Sequence, residues 1–310
     1  MVKKSEGSAF FLLLLLYNIV LNFVFAFLFV WLRETFFNTF FFSTYFLVLT
    51  QLLGFVLPLV LWLKFKGEPL RLPNMKLGNI NILLITLLSI FLQPFIMLVS
   101  ALSALFFPNP VSGALNQLES EPFAALLIAL AVTPAFCEEI VFRGFLLDKY
   151  RVLGIKKAAV ITGLFFGIAH LNPQQFLYAF IIGMIFAYYV YYTRSIRAGI
   201  LAHFLMNAIQ LTISRVITVF AASEAATHVE YINEYLALMA GFGVMTLIFV
   251  PAFIILFRVF ISHNNRRNLK YDLNNDVPLE IDTQKPLVLK DPFLWCAIGV
   301  YILYAVSNLL

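Results

Sequence analysis

Long apolar runs, separated by short polar stretches, make up most of this chain, and apolar positions do not alternate with polar ones along the runs. A helix that crosses a membrane needs about 20 apolar residues to span a hydrocarbon core of about 30 Å. Within lipid every backbone polar group must be paired, which leaves only helices or a closed barrel. Barrel strands are about 10 residues long and alternate in polarity. The pattern therefore predicts an all-α bundle of about eight or nine membrane helices.

Nine apolar segments are candidate spans: residues 9–32, 40–63, 80–107, 123–147, 157–171, 174–193, 198–219, 232–260 and 292–309. The fifth is short and is separated from the sixth only by Asn172-Pro173, so eight spans with one re-entrant or interfacial helix fit almost as well. The segment 263–291 is polar, with several asparagines and two prolines, and is predicted to be an exposed loop. We expect three parts in the chain, namely N-terminal helices (1–119), a core (120–220) and a C-terminal helix, loop and last helix (221–310).

Composition agrees with a membrane protein. Of 310 residues, 62% are hydrophobic and 12% are charged, and the mean hydropathy is +0.92; a soluble domain is about half apolar and a quarter charged. Cys137 and Cys296 lie far apart in apolar stretches, so no disulfide framework is indicated. The net charge of +5 gives no reason to infer a nucleic-acid partner, because basic residues in a membrane protein are first tested as topology signals.

The basic residues fall on one side of the membrane when the N-terminus is placed in the cytoplasm. That orientation puts 19 of the 21 Lys and Arg residues in cytoplasmic segments and leaves Arg33 and Arg215 towards the other side. The opposite loops carry acidic residues instead, which are Glu34, Glu119, Glu121, Glu224, Glu230 and Glu234. This distribution follows the positive-inside rule. We therefore expect a multi-pass protein of the cell membrane, in contact with the lipid bilayer, whose N-terminus is cytoplasmic.

Ionisable residues within apolar spans are functional candidates because they are costly to bury in a membrane. One cluster, Cys137-Glu138-Glu139 with Arg143, lies at the predicted cytoplasmic end of the fourth span. Glu139 and Arg143 are four residues apart and can pair on one helix face, whereas Glu138 has a poorer match. We expect Glu139 to form a structural ion pair and Glu138 to accept a proton from water. The alternative is that both acids sit among cytoplasmic headgroups.

Two further clusters place polar groups on later spans. Phe166 and His170 are four residues apart, and so are His203 and Asn207. Taken singly, a histidine in an apolar helix is more often a packing residue, and a histidine–asparagine pair is more often a bond between helices. Taken with the first cluster they are complementary, because Glu138 and His170 could activate water while His203 and Asn207 stabilise an oxyanion.

In this order the clusters resemble the CPBP family, the CAAX-protease and bacteriocin-processing intramembrane proteases that include the Rce1-type prenyl-protein endopeptidases. The family pattern is EExxxR, then FxxxH, then HxxxN, and it is matched by Glu138-Glu139 with Arg143, by Phe166 with His170, and by His203 with Asn207. The resemblance covers roughly residues 120–220, the predicted catalytic core. It implies a helix bundle whose active site lies within the membrane and opens towards the cytoplasm.

The resemblance also implies roles, a substrate class and a location. The catalytic residues would be Glu138, His170, His203 and Asn207, and the supporting ones Glu139, Arg143 and Phe166. The substrate would be a peptide or membrane-associated protein, such as a prenylated CAAX tail, a bacteriocin leader or a signalling peptide, cleaved at a bacterial plasma membrane. The family has often been labelled metalloprotease, and zinc held by Glu138, His170 and His203 is chemically allowable. We expect no metal or other cofactor, since no HExxH helix is present and the chemistry can run without a Lewis acid.

Two alternatives stay open. Cys137 could be a nucleophile, although it has no histidine within its own helical turn and buried cysteines are usually inert. A non-catalytic membrane immunity factor or a transporter would also carry intramembrane Glu and His residues. A transporter should show an inverted repeat with broken helices, and the sequence shows none that we can identify.

Overall fold

A computed structural model describes residues 2–31, 44–108, 118, 121–221, 228–275 and 291–307. Side chains are described at these positions except 2–4, 29–31, 217–221, 228–234 and 271–275. Within these ranges the secondary structure is helical and no β-strand is formed.

The described residues form nine helices when each continuous helical run is counted once. They are α1 (Val2–Trp31), α2 (Thr44–Lys66), α3 (Asn79–Ala104), α4 (Phe123–Leu153), α5 (Ile155–Ala169), α6 (Pro173–Thr193), α7 (Ile196–Ala221), α8 (His228–Asn275) and α9 (Pro292–Ser307). Each overlaps one apolar segment predicted from the sequence. The all-α bundle is therefore confirmed, while the division of the chain into three parts stays a prediction.

Seven of these helices, α1 to α4 and α6 to α8, are long and apolar enough to cross a membrane. The protein is thus a multi-pass membrane protein. The helix α5 has 15 residues and α9 has 16, both fewer than the roughly 20 that a full crossing needs. At 1.5 Å per residue, α5 is only about 22 Å long. Its shortness determines where His170, the residue that follows it, can lie.

The polar segment after the eighth span departs from its prediction. Residues 263–291 were expected to form an exposed loop, but α8 continues as a helix to Asn275. Asn264 is fully buried, and its side-chain amide exchanges hydrogen bonds with that of Asn81 on α3. The loop prediction is wrong for this first part because the paired amides satisfy each other inside the bundle. Residues 276–290 lie outside the described ranges.

Three wide π-helical turns interrupt α2 and α4: Leu52–Val56, Ile128–Val132 and Ile140–Leu146. Such turns insert an extra residue, change the direction of the following side chains and recur at functional sites. Gln51 directly precedes the first turn and Arg143 lies in the third. Both residues take part in the polar cluster described next.

Close packing of α5 against α6 brings the site together. A Cβ atom at Gly163 would lie 2.9 Å from the carbonyl oxygen of Phe180, and one at Gly167 would lie 2.9 Å from that of Phe176. Both distances are too short for any side chain, so the two glycines allow the backbones to touch. The ring of Phe166, between these glycines, is fully buried in the core.

Candidate active site

Glu139 on α4 lies at the centre of a buried polar cluster. Its Oε1 atom accepts a hydrogen bond from Nη1 of Arg143 at 2.9 Å and lies 3.0 Å from Nδ1 of His203 on α7. The carboxylate is wholly buried, and a buried charge is tolerated only when it is paired and hydrogen-bonded. The Glu139–Arg143 pair predicted from the spacing is present in the structure.

Arg143 is held by the backbone and by aromatic rings as well as by Glu139. Its Nη2 donates to the carbonyl oxygen of Gly183 at 3.1 Å. Its Cζ lies 4.4 Å from the ring centroid of Phe166 and 5.4 Å from that of Phe186. A planar guanidinium can bind a carboxylate and stack on rings at once. Because Arg143 is buried in the bundle, it has no weight as a cytoplasmic topology signal, although the charge count included it.

Glu138 has a different partner from its neighbour. Its Oε1 accepts a hydrogen bond from Nε2 of Gln51 on α2 at 3.2 Å. Glu138 is 6% exposed and Glu139 is not exposed at all, so the alternative that places both acids among headgroups is wrong. The two carboxylates are separated as the spacing indicated, since Glu139 binds the arginine and Glu138 accepts from a neutral amide.

His170 directly follows α5 and lies beside Phe166. Its Nδ1 is 2.7 Å from the carbonyl oxygen of Phe166, so Nδ1 carries the proton and Nε2 is the available acceptor in the neutral ring. The ring of Phe166 is 5.0 Å from that of His170 and 5.7 Å from that of His203. Cζ of Arg143 lies 4.4 Å from the centroid of the same Phe166 ring. The short α5 thus brings this histidine to the Glu138–Glu139 cluster.

A tight turn follows α5 directly after His170. Leu171 adopts a φ of 51°, in the left-handed region that side chains other than glycine rarely occupy. Asn172 accepts a hydrogen bond from the backbone N–H of Gln174 at 3.0 Å, and Pro173 takes the first position of α6. Asparagine as N-cap followed by proline is a strong helix-start signal. The turn reverses the chain immediately after His170.

Asn207 on α7 has one of its amide hydrogens engaged by α4. Its Nδ2 donates to the carbonyl oxygen of Leu130 at 2.9 Å. That oxygen belongs to the π-helical turn Ile128–Val132 of α4. The amide nitrogen carries two hydrogens, so a second one stays available as a donor. His203, four residues earlier, is 3% exposed.

Two residues of the site were missed by the sequence reasoning. Gln51 lies outside the three motifs, and the signal that could have found it is an amide within an otherwise apolar span. Gly199 lies four residues before His203, and a Cβ atom there would be 2.4 Å from Oε2 of Glu139. Only glycine leaves room for this carboxylate.

Glu138, His170 and His203 are the residues named from the sequence for a possible zinc ion. Among the residues whose side chains are described, no three or more His, Cys, Asp or Glu side chains are grouped so as to hold a metal ion. Nδ1 of His203 faces Glu139 and Nδ1 of His170 faces the backbone. Cys137 is a buried free thiol. In both rings Nε2 is the nitrogen that these contacts leave free, and metal dependence stays a prediction to be tested.

Comparison with known proteins agrees with the motifs. The family model described as "Type II CAAX prenyl endopeptidase Rce1-like" matches residues 120–209, a segment that contains every motif position from Glu138 to Asn207. Searches of curated proteins and of solved structures found no match. The matched segment carries α4, α5, α6 and the first half of α7. Residues 120–209 of this chain are therefore similar to the Rce1-like domain of a family of peptidases.

Proposed function

We propose that this protein is an intramembrane endopeptidase that hydrolyses a peptide bond near the cytoplasmic side of the bilayer. One observation carries the proposal: the Glu138–Glu139 pair on α4, His170 after α5 and His203 on α7 converge on one buried cluster around Glu139 and Phe166. Intramembrane acids and histidines are costly. Three sets that meet at one point are better explained by shared chemistry than by packing.

In the proposed reaction Glu138 and His170 activate a water molecule. The carboxylate takes one proton from the water, whose oxygen attacks the peptide carbonyl carbon. The tetrahedral intermediate collapses when the C–N bond breaks, and the proton held by Glu138 passes to the leaving amine. Nε2 of His170 is available to orient the same water, because its Nδ1 already faces a backbone carbonyl.

His203 and Asn207 would stabilise the oxyanion. Asn207 has a second N–H to donate after the first has bonded to Leu130. For His203 to donate from Nε2 while Nδ1 faces Glu139, the ring must carry both protons. Each such donor typically contributes about 10²–10³ in kcat.

The substrate class that we propose to test first is a peptide ending in a prenylated CAAX tail, because the matching family model is described as a prenyl endopeptidase. The purified protein in lipid vesicles would be given an internally quenched farnesylated peptide. The wild type and Cys137→Ala should cleave it, and Glu138→Gln should be at least about 100-fold slower, as expected for loss of a general base. Wild-type rates in Glu138→Gln would overturn the mechanism, and inactivity of Cys137→Ala would favour a thiol nucleophile.

A second experiment separates the reaction from its substrate. Glu138→Gln expressed in native membranes should retain peptide substrates that the wild type releases as products, and a pull-down followed by mass spectrometry identifies them. If neither protein cleaves the farnesylated peptide but the variant captures another peptide, the CAAX substrate is rejected and the endopeptidase is supported. If the variant captures nothing and the wild type cleaves nothing, the endopeptidase is rejected in favour of a non-catalytic membrane protein.

We also propose that hydrolysis needs no metal ion and that the N-terminus is cytoplasmic. A strong zinc chelator should leave the cleavage rate unchanged, and loss that is restored by zinc would contradict this. A self-labelling tag at the N-terminus should react with a membrane-impermeant dye only after cells are permeabilised. Labelling of intact cells would reverse the orientation inferred from the charges.

A further inference from the structure

Gln51 contributes to the site from α2, outside the segment that matches the family model. It lies 87 residues before Glu138 in sequence and its Nε2 lies 3.2 Å from the Oε1 of that acid. A carboxylate can only accept hydrogen bonds. The amide nitrogen of Gln51 must therefore face Glu138, and the amide oxygen, bonded to the same carbon, is a separate acceptor next to it.

The amide oxygen of Gln51 is buried, and no described residue donates a hydrogen bond to it. A buried acceptor without a donor costs about 1–3 kcal/mol. A water molecule that donates a hydrogen bond to this oxygen would lie beside Glu138. That is where the proposed hydrolysis needs its attacking water. The amide of Gln51 can thus donate to the base through its nitrogen and accept from a reactant through its oxygen.

The backbone around Gln51 is held by α1. Asn18 donates from Nδ2 to the carbonyl oxygen of Gly54 at 2.9 Å, within the π-helical turn that directly follows Gln51. A Cβ atom at Gly54 would lie 2.6 Å from Oδ1 of Asn18, so the two helices cross closely there. This contact fixes the backbone of the turn. It therefore also fixes the direction in which the side chain of Gln51 projects from α2.

We propose that Gln51 positions the hydrolytic water, a role that rests on the endopeptidase function proposed above. Its Nε2–H holds Oε1 of Glu138, and its Oε1 accepts one hydrogen of the water. Glu138 takes the other hydrogen as the water oxygen bonds to the carbonyl carbon. Gln51 itself exchanges no proton, so its function is orientation.

The test compares Gln51→Met, which keeps length without hydrogen bonding, with Gln51→Glu, which keeps shape and an acceptor oxygen but not the amide donor. Both should lower kcat by about tenfold or more while KM changes less than about twofold, because a water-positioning contact acts in the chemical step and not in substrate binding. Gln93→Met is the matched control, since Gln93 is a buried glutamine that bonds to Met206 and not to Glu138. Its kcat should stay within about threefold of the wild type.

A spectroscopic measurement does not depend on turnover. The infrared carboxylate band of Glu138, isolated as the difference between the wild type and Glu138→Gln, should shift in Gln51→Met and stay in place in Gln93→Met. An unshifted band, or kcat values in both Gln51 variants equal to the wild type, would overturn the proposal. A shifted band in a protein that cleaves no substrate would leave only a structural hydrogen bond; the water-positioning role would then be rejected together with the endopeptidase.

Discussion

Nδ1 of His203 lies 3.0 Å from Oε1 of Glu139, and the same oxygen accepts the hydrogen bond from Arg143. The contact ties α4 to α7 across 64 positions of sequence. The two adjacent acids therefore have different partners. Glu139 contacts the basic side chains of Arg143 and His203, whereas Glu138 accepts a hydrogen bond from the neutral amide of Gln51. The second acid of the first motif is thus held in an ion pair, which supports the proposal that the first acid is the base.

Glu139→Gln is expected to destabilise the protein much more than Glu138→Gln. The first change leaves the guanidinium of Arg143 buried without its carboxylate, and breaking a buried ion pair in this way costs about 3–5 kcal/mol. The second removes no charged partner and alters one amide contact, which costs about 1 kcal/mol. Thermal unfolding of both variants in the same detergent checks this. Equal shifts in melting temperature would contradict the division of the two acids.

Asn207→Asp is expected to fold and to lose activity. The change keeps the shape but removes both N–H donors and places negative charge beside a developing oxyanion, so kcat should fall by about 10²–10³ or more. Asn268→Asp is the matched control, because Asn268 also donates to a backbone carbonyl at 2.9 Å, that of Tyr192. Steady-state cleavage of the quenched peptide measures both. A similar fall in the kcat of Asn268→Asp would show that loss of a hydrogen bond between helices is enough to lower activity. That result would contradict the oxyanion role of Asn207.

Gly199→Ala is expected to destabilise the cluster around Glu139. The new methyl group would lie 2.4 Å from Oε2 of Glu139 and 2.9 Å from Cγ2 of Val190, and overpacking of this kind costs about 1–3 kcal/mol. Gly243→Ala on α8 is the control, since nothing lies within 4 Å of its Cβ position and alanine favours helix by up to about 1 kcal/mol. The melting temperature should fall for Gly199→Ala and rise for Gly243→Ala. A Gly199→Ala variant as stable as the wild type would contradict the close packing of Gly199 against Glu139.

Asn81 and Asn264 should show strong coupling in a double-mutant cycle. Changing either to leucine leaves the other amide buried without its partner, at about 1–3 kcal/mol. Changing both removes the second unpaired group, so the double variant should be more stable than the sum of the single losses by about 0.5–3 kcal/mol. Denaturation midpoints in one detergent give the four values. Additive losses would mean that α8 does not dock on α3 through this pair.

Much of the fold can be predicted from the chain alone, because lipid imposes a simple requirement on every span. Each span must be helical and apolar, so hydropathy locates all nine helices of the described ranges. The helical period then pairs residues within one helix, as with Glu139 and Arg143. The three motifs could be located for the same reason, since each lies on a single helix or at its end.

Contacts between helices were decided by the tertiary structure. Glu139 with His203, Glu138 with Gln51, and Asn207 with Leu130 are separated by 64, 87 and 77 residues. No local period determines which faces meet. The error at Asn264 has the same origin, because an asparagine is typical of a loop until Asn81 on another helix supplies its hydrogen bonds. The residue types and their order along each helix follow from the sequence, whereas their partners depend on how short α5 is, where the π-helical turns fall and how closely the glycines let helices approach.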